Sequence, residues 1–185
     1  MKKQIVLATL LLAAGMASAA EPYAALYYKY DSLDTGVSDS GFAFTIGSKI
    51  DNNIAVDVSG QGVSTGNSAK TLSDRIEAGV TVSENLGPVA VYVRGNFGDK
   101  LKTGADNNYY GIEPGVRYAV TSADTVSLGW RFRTATDDNK LDTTRTAKLN
   151  YAHAITPKTD LVLEVDRQLG DGPQTTVLAG AKFKF

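Results

Sequence analysis

From about Pro22 to the C-terminal Phe185, apolar and polar residues alternate with period two in ten successive segments. That period belongs to β-strands, whose neighbouring side chains leave opposite faces. The last stretch shows it plainly. Val177, Ala179, Ala181, Phe183 and Phe185 share one face, and Leu178, Gly180, Lys182 and Lys184 the other. In the second segment Phe42, Phe44, Ile46 and Ile50 oppose Ala43, Thr45, Gly47 and Lys49. In the seventh, Val126, Leu128, Trp130 and Phe132 oppose Ser127, Gly129, Arg131 and Arg133. Every apolar face of this kind must be covered, either by a second sheet or by lipid.

The connections separate these two solutions. Short turns are predicted at Asp51–Asn53, Ser83–Gly87, Thr121–Asp124 and Thr156–Thr159. Longer polar connections are predicted at Asp31–Asp39, Gly62–Thr71, Gly98–Asn108, Ala135–Asp142 and Gly170–Pro173. Short and long in strict turn is the habit of membrane barrels, whereas a soluble sandwich has no need of it. Aromatics gather by height as well: Tyr28, Tyr30, Phe42, Trp130 and Phe132 near the long connections, and Tyr118, Phe183 and Phe185 near the short ones. Two such belts suit two membrane interfaces. The expected fold is all-β: an antiparallel up-and-down transmembrane β-barrel of about ten strands, within a range of roughly eight to twelve. An even count places both termini on one side, the periplasmic one. Pro114 lies mid-strand without an N–H to donate and predicts a bulge or local break.

The N-terminus carries an export signal. Lys2 and Lys3 precede an apolar run from Ile5 to Ala14, followed by the small residues Ala17-Ser18-Ala19. The run is too short for a membrane helix, which needs about 20 apolar residues. Cleavage is expected after Ala19, leaving residues 20–185 as the barrel domain. No cysteine is present, so neither a lipid anchor on cysteine nor a disulfide is available. A net charge of −1 gives no global field for nucleic acid. No phosphate-cradling loop or zinc-ligand spacing occurs, and no cofactor is expected.

Function must then lie on the inward faces. These carry Lys29, Lys49, Arg75, Arg94, Arg117, Arg131, Arg133, Lys148, Lys182 and Lys184, against Asp57, Glu77, Glu113, Glu164 and Asp166. The lumen is thus expected to be basic, with the balancing acid in loops at Asp31, Asp34, Asp39, Asp137, Asp138 and Asp142. Glu77, Arg94, Glu113 and Arg131 fall at one height on four successive strands and predict a ladder of charge around the wall. Such a ladder fits a structural network that fills a narrow barrel. The cations left over, Lys182 and Lys184 among them, fit a hydrated, anion-attracting pore. The inward glycines Gly47, Gly79, Gly111, Gly115, Gly129 and Gly180 are expected to leave space for it. A barrel of about eight strands is filled by its own side chains, and one of 16–18 is open.

Two other possibilities sit outside the lumen. His153, the single histidine, lies in phase with Leu149 and Tyr151 and so faces lipid, with no nucleophile in phase. It and Asp74 offer little to a barrel enzyme. Arg145 and Arg167 lie outward near the long connections, where guanidinium groups can meet lipopolysaccharide phosphates.

The C-terminal strand, ending Lys182-Phe183-Lys184-Phe185, resembles the closing strand of bacterial outer-membrane barrels. In those proteins the terminal aromatics, here Phe183 and Phe185, form part of the signal read by the barrel-insertion machinery. Glu113-Pro114-Gly115-Val116-Arg117-Tyr118, with Leu128-Gly129-Trp130-Arg131-Phe132-Arg133, resembles paired strands of the oligogalacturonate-specific porin family. So does Ile155-Thr156-Pro157 leading through Leu163-Glu164-Val165-Asp166 to the terminus. The resemblance implies that Arg117, Arg131 and Arg133 line a channel for acidic oligosaccharides. That family's barrels have about twelve strands, more than are counted here. The expected location is the Gram-negative outer membrane, with its lipid, its lipopolysaccharide, the insertion machinery and small anionic solutes as partners. The alternative is a non-conducting barrel for envelope integrity or surface contact, and the third reading is an outer-membrane enzyme.

Overall fold

The computed structural model describes residues 21–36, 38–65, 74–102, 105–136, 143–170 and 173–185. The predicted signal segment 1–19 and the acidic residues Asp137, Asp138 and Asp142 lie outside the described residues. Ten antiparallel strands follow one another: β1 Glu21–Leu33, β2 Ser38–Lys49, β3 Ile54–Thr65, β4 Asp74–Leu86, β5 Val89–Lys102, β6 Ala105–Ala119, β7 Asp124–Ala135, β8 Thr144–Thr156, β9 Thr159–Gly170 and β10 Gln174–Lys184. Each pairs with its sequence neighbour, and β1 pairs with β10 to close the barrel. Closure satisfies every strand edge without disulfides, which is the condition for spanning a bilayer with strands.

The alternation read from the sequence matches the two faces. Leu26, Phe42, Ile112, Leu128 and Leu163 are exposed on the outer wall, while Lys29, Asp57, Glu77, Glu113 and Arg131 are buried on the inner one. An exposed apolar outside around a buried charged inside inverts the soluble arrangement. This is a membrane β-barrel.

The strands run further than the alternation suggested. The predicted long connection at 98–108 is instead the stem of the β5–β6 hairpin, paired from Val89↔Tyr118 to Lys102↔Ala105. Likewise β3 continues to Thr65 and β1 to Leu33. Polar residues there led the sequence reading to end each strand early, but a ladder held by backbone bonds needs no apolar side chain.

Pro114 makes no bulge. Between β6 and β7 the ladder lapses after Ile112↔Phe132 and resumes at Gly115↔Gly129 in unchanged register. The missing N–H breaks the ladder locally without adding a residue. The one register shift between β8 and β9 falls at Ala154/Thr156.

The short turns cluster at the end that holds both termini, here called the turn end; the other is the loop end. Asp51-Asn52-Asn53 uses no left-handed residue, contrary to what its composition suggested. Instead Asp51 Oδ1 accepts hydrogen bonds from the N–H groups of Asn53 and Ile54, both at 2.7 Å. Thr121 Oγ1 does the same for Ala123 and Asp124. Gly87, at φ 68°, is the turn residue that needs glycine.

Candidate functional site

The lumen is divided by height. A cavity of about 840 Å³ runs from Glu21, Asp51 and Lys158 at the turn end up to Arg75, Gln168 and Gln174. Toward the loop end the wall residues Lys29, Asp31, Tyr109, Arg133 and Thr144 are at most 4% exposed. The site is therefore a charged cavity along the lumen, its turn-end part a vestibule, with Lys29, Glu77, Arg94, Arg131 and Lys148 packed in its wall.

Arg94 organises the packed side. Its guanidinium bonds Asp57 on β3 through Nε (3.1 Å) and a terminal nitrogen (2.7 Å), and Glu77 on β4 at 2.9 Å. To reach β3 it must cross β4, and it does so over Gly79. A Cβ on Gly79 would stand 2.5 Å from the guanidinium. Glu77 also accepts from Tyr109 (2.9 Å) and Asn96 (3.3 Å), and Arg131 approaches it at 3.9 Å. Lys148 lies among Glu164 (3.1 Å), Glu113 (3.6 Å) and Asp166 (3.9 Å). The predicted ladder thus exists in altered form. Glu77 takes both arginines, and Glu113 turns to Lys148.

The predicted basic excess is largely cancelled. Asp31, read as a loop residue, points inward and bonds Lys29 at 2.5 Å and the Thr176 hydroxyl. Asp160 bonds Lys184 at 2.7 Å, and Glu21 bonds Lys49 at 2.7 Å. These acids sit at strand ends: Asp31 was read into a connection, and Glu21 and Asp160 fell just outside the segments read as strand.

Nor do the glycines leave space. Tyr23 covers Gly47, Tyr109 covers Gly98, Tyr92 covers Gly115 and Gly129, and Asn96 presses on Gly111. Gly180 faces the backbone of Leu26 and Tyr27. In four cases the tyrosine is the glycine's direct cross-strand partner: Tyr23↔Gly47, Gly98↔Tyr109, Tyr92↔Gly115 and Tyr27↔Gly180. Gly47, Gly98 and Gly115 are recesses covered by the phenol end of the partner ring, an aromatic cover for a strand glycine. Sequence reasoning missed these tyrosines. The available signal was an inward tyrosine with a glycine opposite, which requires the register.

Three cations stack on the rings so placed. Lys182 Nζ lies 3.9 Å from the Tyr23 ring centroid, Arg133 5.0 Å from that of Tyr109, and Arg117 5.8 Å from that of Tyr92. Arg117 and Lys182 line the vestibule, with no carboxylate at ion-pair distance among the described residues. Arg75 is in the same position higher up. The side-chain atoms Arg131 Nε, Thr144 Oγ1, Thr146 Oγ1 and Asp166 Oδ1 are buried without a protein hydrogen bond among the described residues. Buried polar atoms of this kind are satisfied by water.

Outside the lumen, His153 is less isolated than its phase implied. Its Nδ1 lies 2.8 Å from Asp124, which also accepts from Tyr151 at 2.6 Å and Thr121 at 2.5 Å. The hydroxyls are spent on the carboxylate, and His153 faces outward at the turn end. Asp74 is the first residue of β4.

At the loop end Arg167 grips Asp34 with two 2.7 Å bonds and Thr175 with a third. Its fork is committed, and Arg145 is the outward arginine without an ion-pair partner among the described residues. The Arg167 hydrogen bonds and charge hold the Asp34 carboxyl below the usual range. A lowered folded-state value means the clasp is intact above the ordinary carboxylate range and is lost only at more acid pH. In Arg167→Ala, Asp34 is expected to titrate at the ordinary carboxylate value, as read from its side-chain carbonyl NMR shift. An unchanged titration would show that Arg167 does not hold it.

A closed ten-stranded ladder, an apolar outside and a charged, partly open inside define the class: an outer-membrane-type β-barrel. Solved structures of that class superpose on it. An outer-membrane channel from Pseudomonas putida F1 matches with a TM-score of 0.61 at 12% identity, over 90% of this chain and 96% of that one. The KdgM porin matches at 0.52 and 13% identity, over 87% and 99%; it has also been solved in complex with disordered oligogalacturonate. The NanC porin matches at 0.50 and 14% identity, over 90% and 100%. At these identities the likeness is one of fold. No family model and no curated protein matches the sequence.

Proposed function

We propose that the protein is a narrow outer-membrane porin that passes small anionic solutes, short acidic sugars among them. The vestibule carries the proposal: about 840 Å³ of space lined by Arg75, Arg117 and Lys182, with no acid in ion-pair reach among the described residues. Cations left unneutralised in a confined, partly dehydrated space attract anions. The porins that share the fold support the same reading, as does the oligogalacturonate held in the KdgM complex.

The packed wall favours a second reading, a non-conducting structural barrel, because Arg94, Asp57, Glu77 and Lys29–Asp31 pair as a filled core does. Planar-bilayer recording of the refolded protein separates the two. Unitary steps with a reversal potential toward chloride are expected in a potassium chloride gradient. Absence of conductance in a barrel shown to be folded by heat-modifiable migration would leave only the structural reading.

A further inference from the structure

Of the arginines that the sequence nominated, Arg131 and Arg133 are buried in the wall, whereas Arg117 and the inward Lys182 stay near the turn end. We propose that the selectivity site lies in the turn-end vestibule, where Tyr23 and Tyr92 act as positioning residues that hold Lys182 and Arg117 away from carboxylates. The proposal rests on the anion-passing reading and names its location.

Lys182 shows the device most clearly. Its direct cross-strand neighbour is Asp160, and a lysine opposite an aspartate would ordinarily pair with it. Instead Lys184 takes Asp160 at 2.7 Å, and Lys182 Nζ rests 3.9 Å above the Tyr23 ring. Tyr23 can lie flat beneath it because its own cross-strand partner is Gly47, where a Cβ would stand 2.5 Å from the ring. A ring face attracts a cation without cancelling its charge. The ammonium is held in place and meets no carboxylate among the described residues.

Across the lumen the same three parts recur. Tyr92 lies in the recess of Gly115, its cross-strand partner, and Arg117 stacks over the ring at 5.8 Å. The Tyr92 hydroxyl donates to Glu113 at 3.3 Å. Tyr92 therefore occupies the carboxylate nearest along β6 with its hydroxyl and the arginine with its ring, keeping the two apart. Arg117 is exposed to the vestibule. Asp160 belongs to Lys184 and Glu21 to Lys49, and Asp51 and Lys158 add one charge of each sign at the turn end, so Lys182 and Arg117 are, among the described residues, the cations left over there. By contrast, Arg94, Arg131 and Lys148 all have carboxylates at 3.9 Å or closer.

Both faces of these rings are occupied, one by glycine backbone and one by a cation. They are not stacking surfaces for a sugar; their part is to place charge.

The test is reversal potential in a potassium chloride gradient for the wild-type protein and for Tyr23→Leu, Tyr92→Leu, Tyr23→Phe and Tyr92→Phe. Leucine removes the ring face, so Lys182 can turn to Asp160 and Arg117 to Glu113. The chloride-to-potassium permeability ratio is expected to fall several-fold toward unity in each leucine variant and to hold in each phenylalanine variant. A wild-type barrel that prefers chloride, with leucine variants that keep that preference, overturns this inference and leaves the porin reading standing. A wild-type barrel without chloride preference overturns the anion reading itself. Should a leucine variant fail to give a heat-modifiable band, the pair Arg117→Gln with Lys182→Gln decides, because undiminished anion preference in that pair overturns the proposed location.

Discussion

Replacing Arg94 with leucine is expected to destabilise the folded barrel by about 3–5 kcal/mol, the cost of stranding a buried charge by removing its partner. The side chains left behind are 8% exposed at Asp57 and 5% at Glu77. Their losses are unequal. Glu77 keeps the Tyr109 hydroxyl, the Asn96 amide and the neighbouring Arg131. Asp57 keeps no cation within ion-pair distance among the described residues. It does border the vestibule, so water partly solvates it and the effect falls at the lower end of the range. Urea unfolding followed by the fluorescence of Trp130, the single tryptophan, gives the number. Adding Asp57→Asn to Arg94→Leu is expected to recover a good part of the loss, since an amide costs far less to bury than a carboxylate. A double variant no more stable than the single one would show that charge is not the reason.

Gly180→Val is expected to prevent closure altogether. Gly180 lies on β10 opposite Tyr27 on β1, the one strand pair that joins the two ends of the chain. A Cβ there would meet the Leu26 carbonyl oxygen and stand 2.8 Å from the Tyr27 Cα. Side chains can rotate away from such a contact, but backbone in a ladder cannot without breaking hydrogen bonds. The cost exceeds about 4–5 kcal/mol, the range in which single substitutions become exceptional. An unclosed sheet also leaves β1 and β10 as free edges in lipid, where unmet backbone groups are costly. The refolded variant is expected to show no heat-modifiable band. Gly95→Val is the control: nothing lies within 4 Å of a Cβ at that position, and normal folding is expected. Normal closure of Gly180→Val would mean that the β1–β10 seam is looser than its register.

Much of the architecture was legible because it is local. Period-two alternation told inside from outside for Phe42 through Gly47 and for Val126 through Arg133, and those assignments match the observed burial. Where side chains stop alternating, as in Gly98–Asn108, local pattern had nothing to report, and backbone pairing carried the strands on. Asp31 was assigned to a connection and Asp160 to no strand face for the same reason, and with them went the charges that neutralise Lys29 and Lys184.

By itself, then, the sequence determined an antiparallel transmembrane barrel of about ten strands, the direction of side chains where the alternation is clean, and most of the pool of charges inside. The tertiary structure alone decided which of those charges meet. Pairing across strands depends on the register and stagger of the closed barrel, a non-local property that no single strand encodes. Arg94 reaches Asp57 because Gly79 happens to lie between them, and Lys182 rests on a ring because the residue opposite Tyr23 is a glycine. An inward lysine reads the same in one dimension whether it ends on a carboxylate or on a ring.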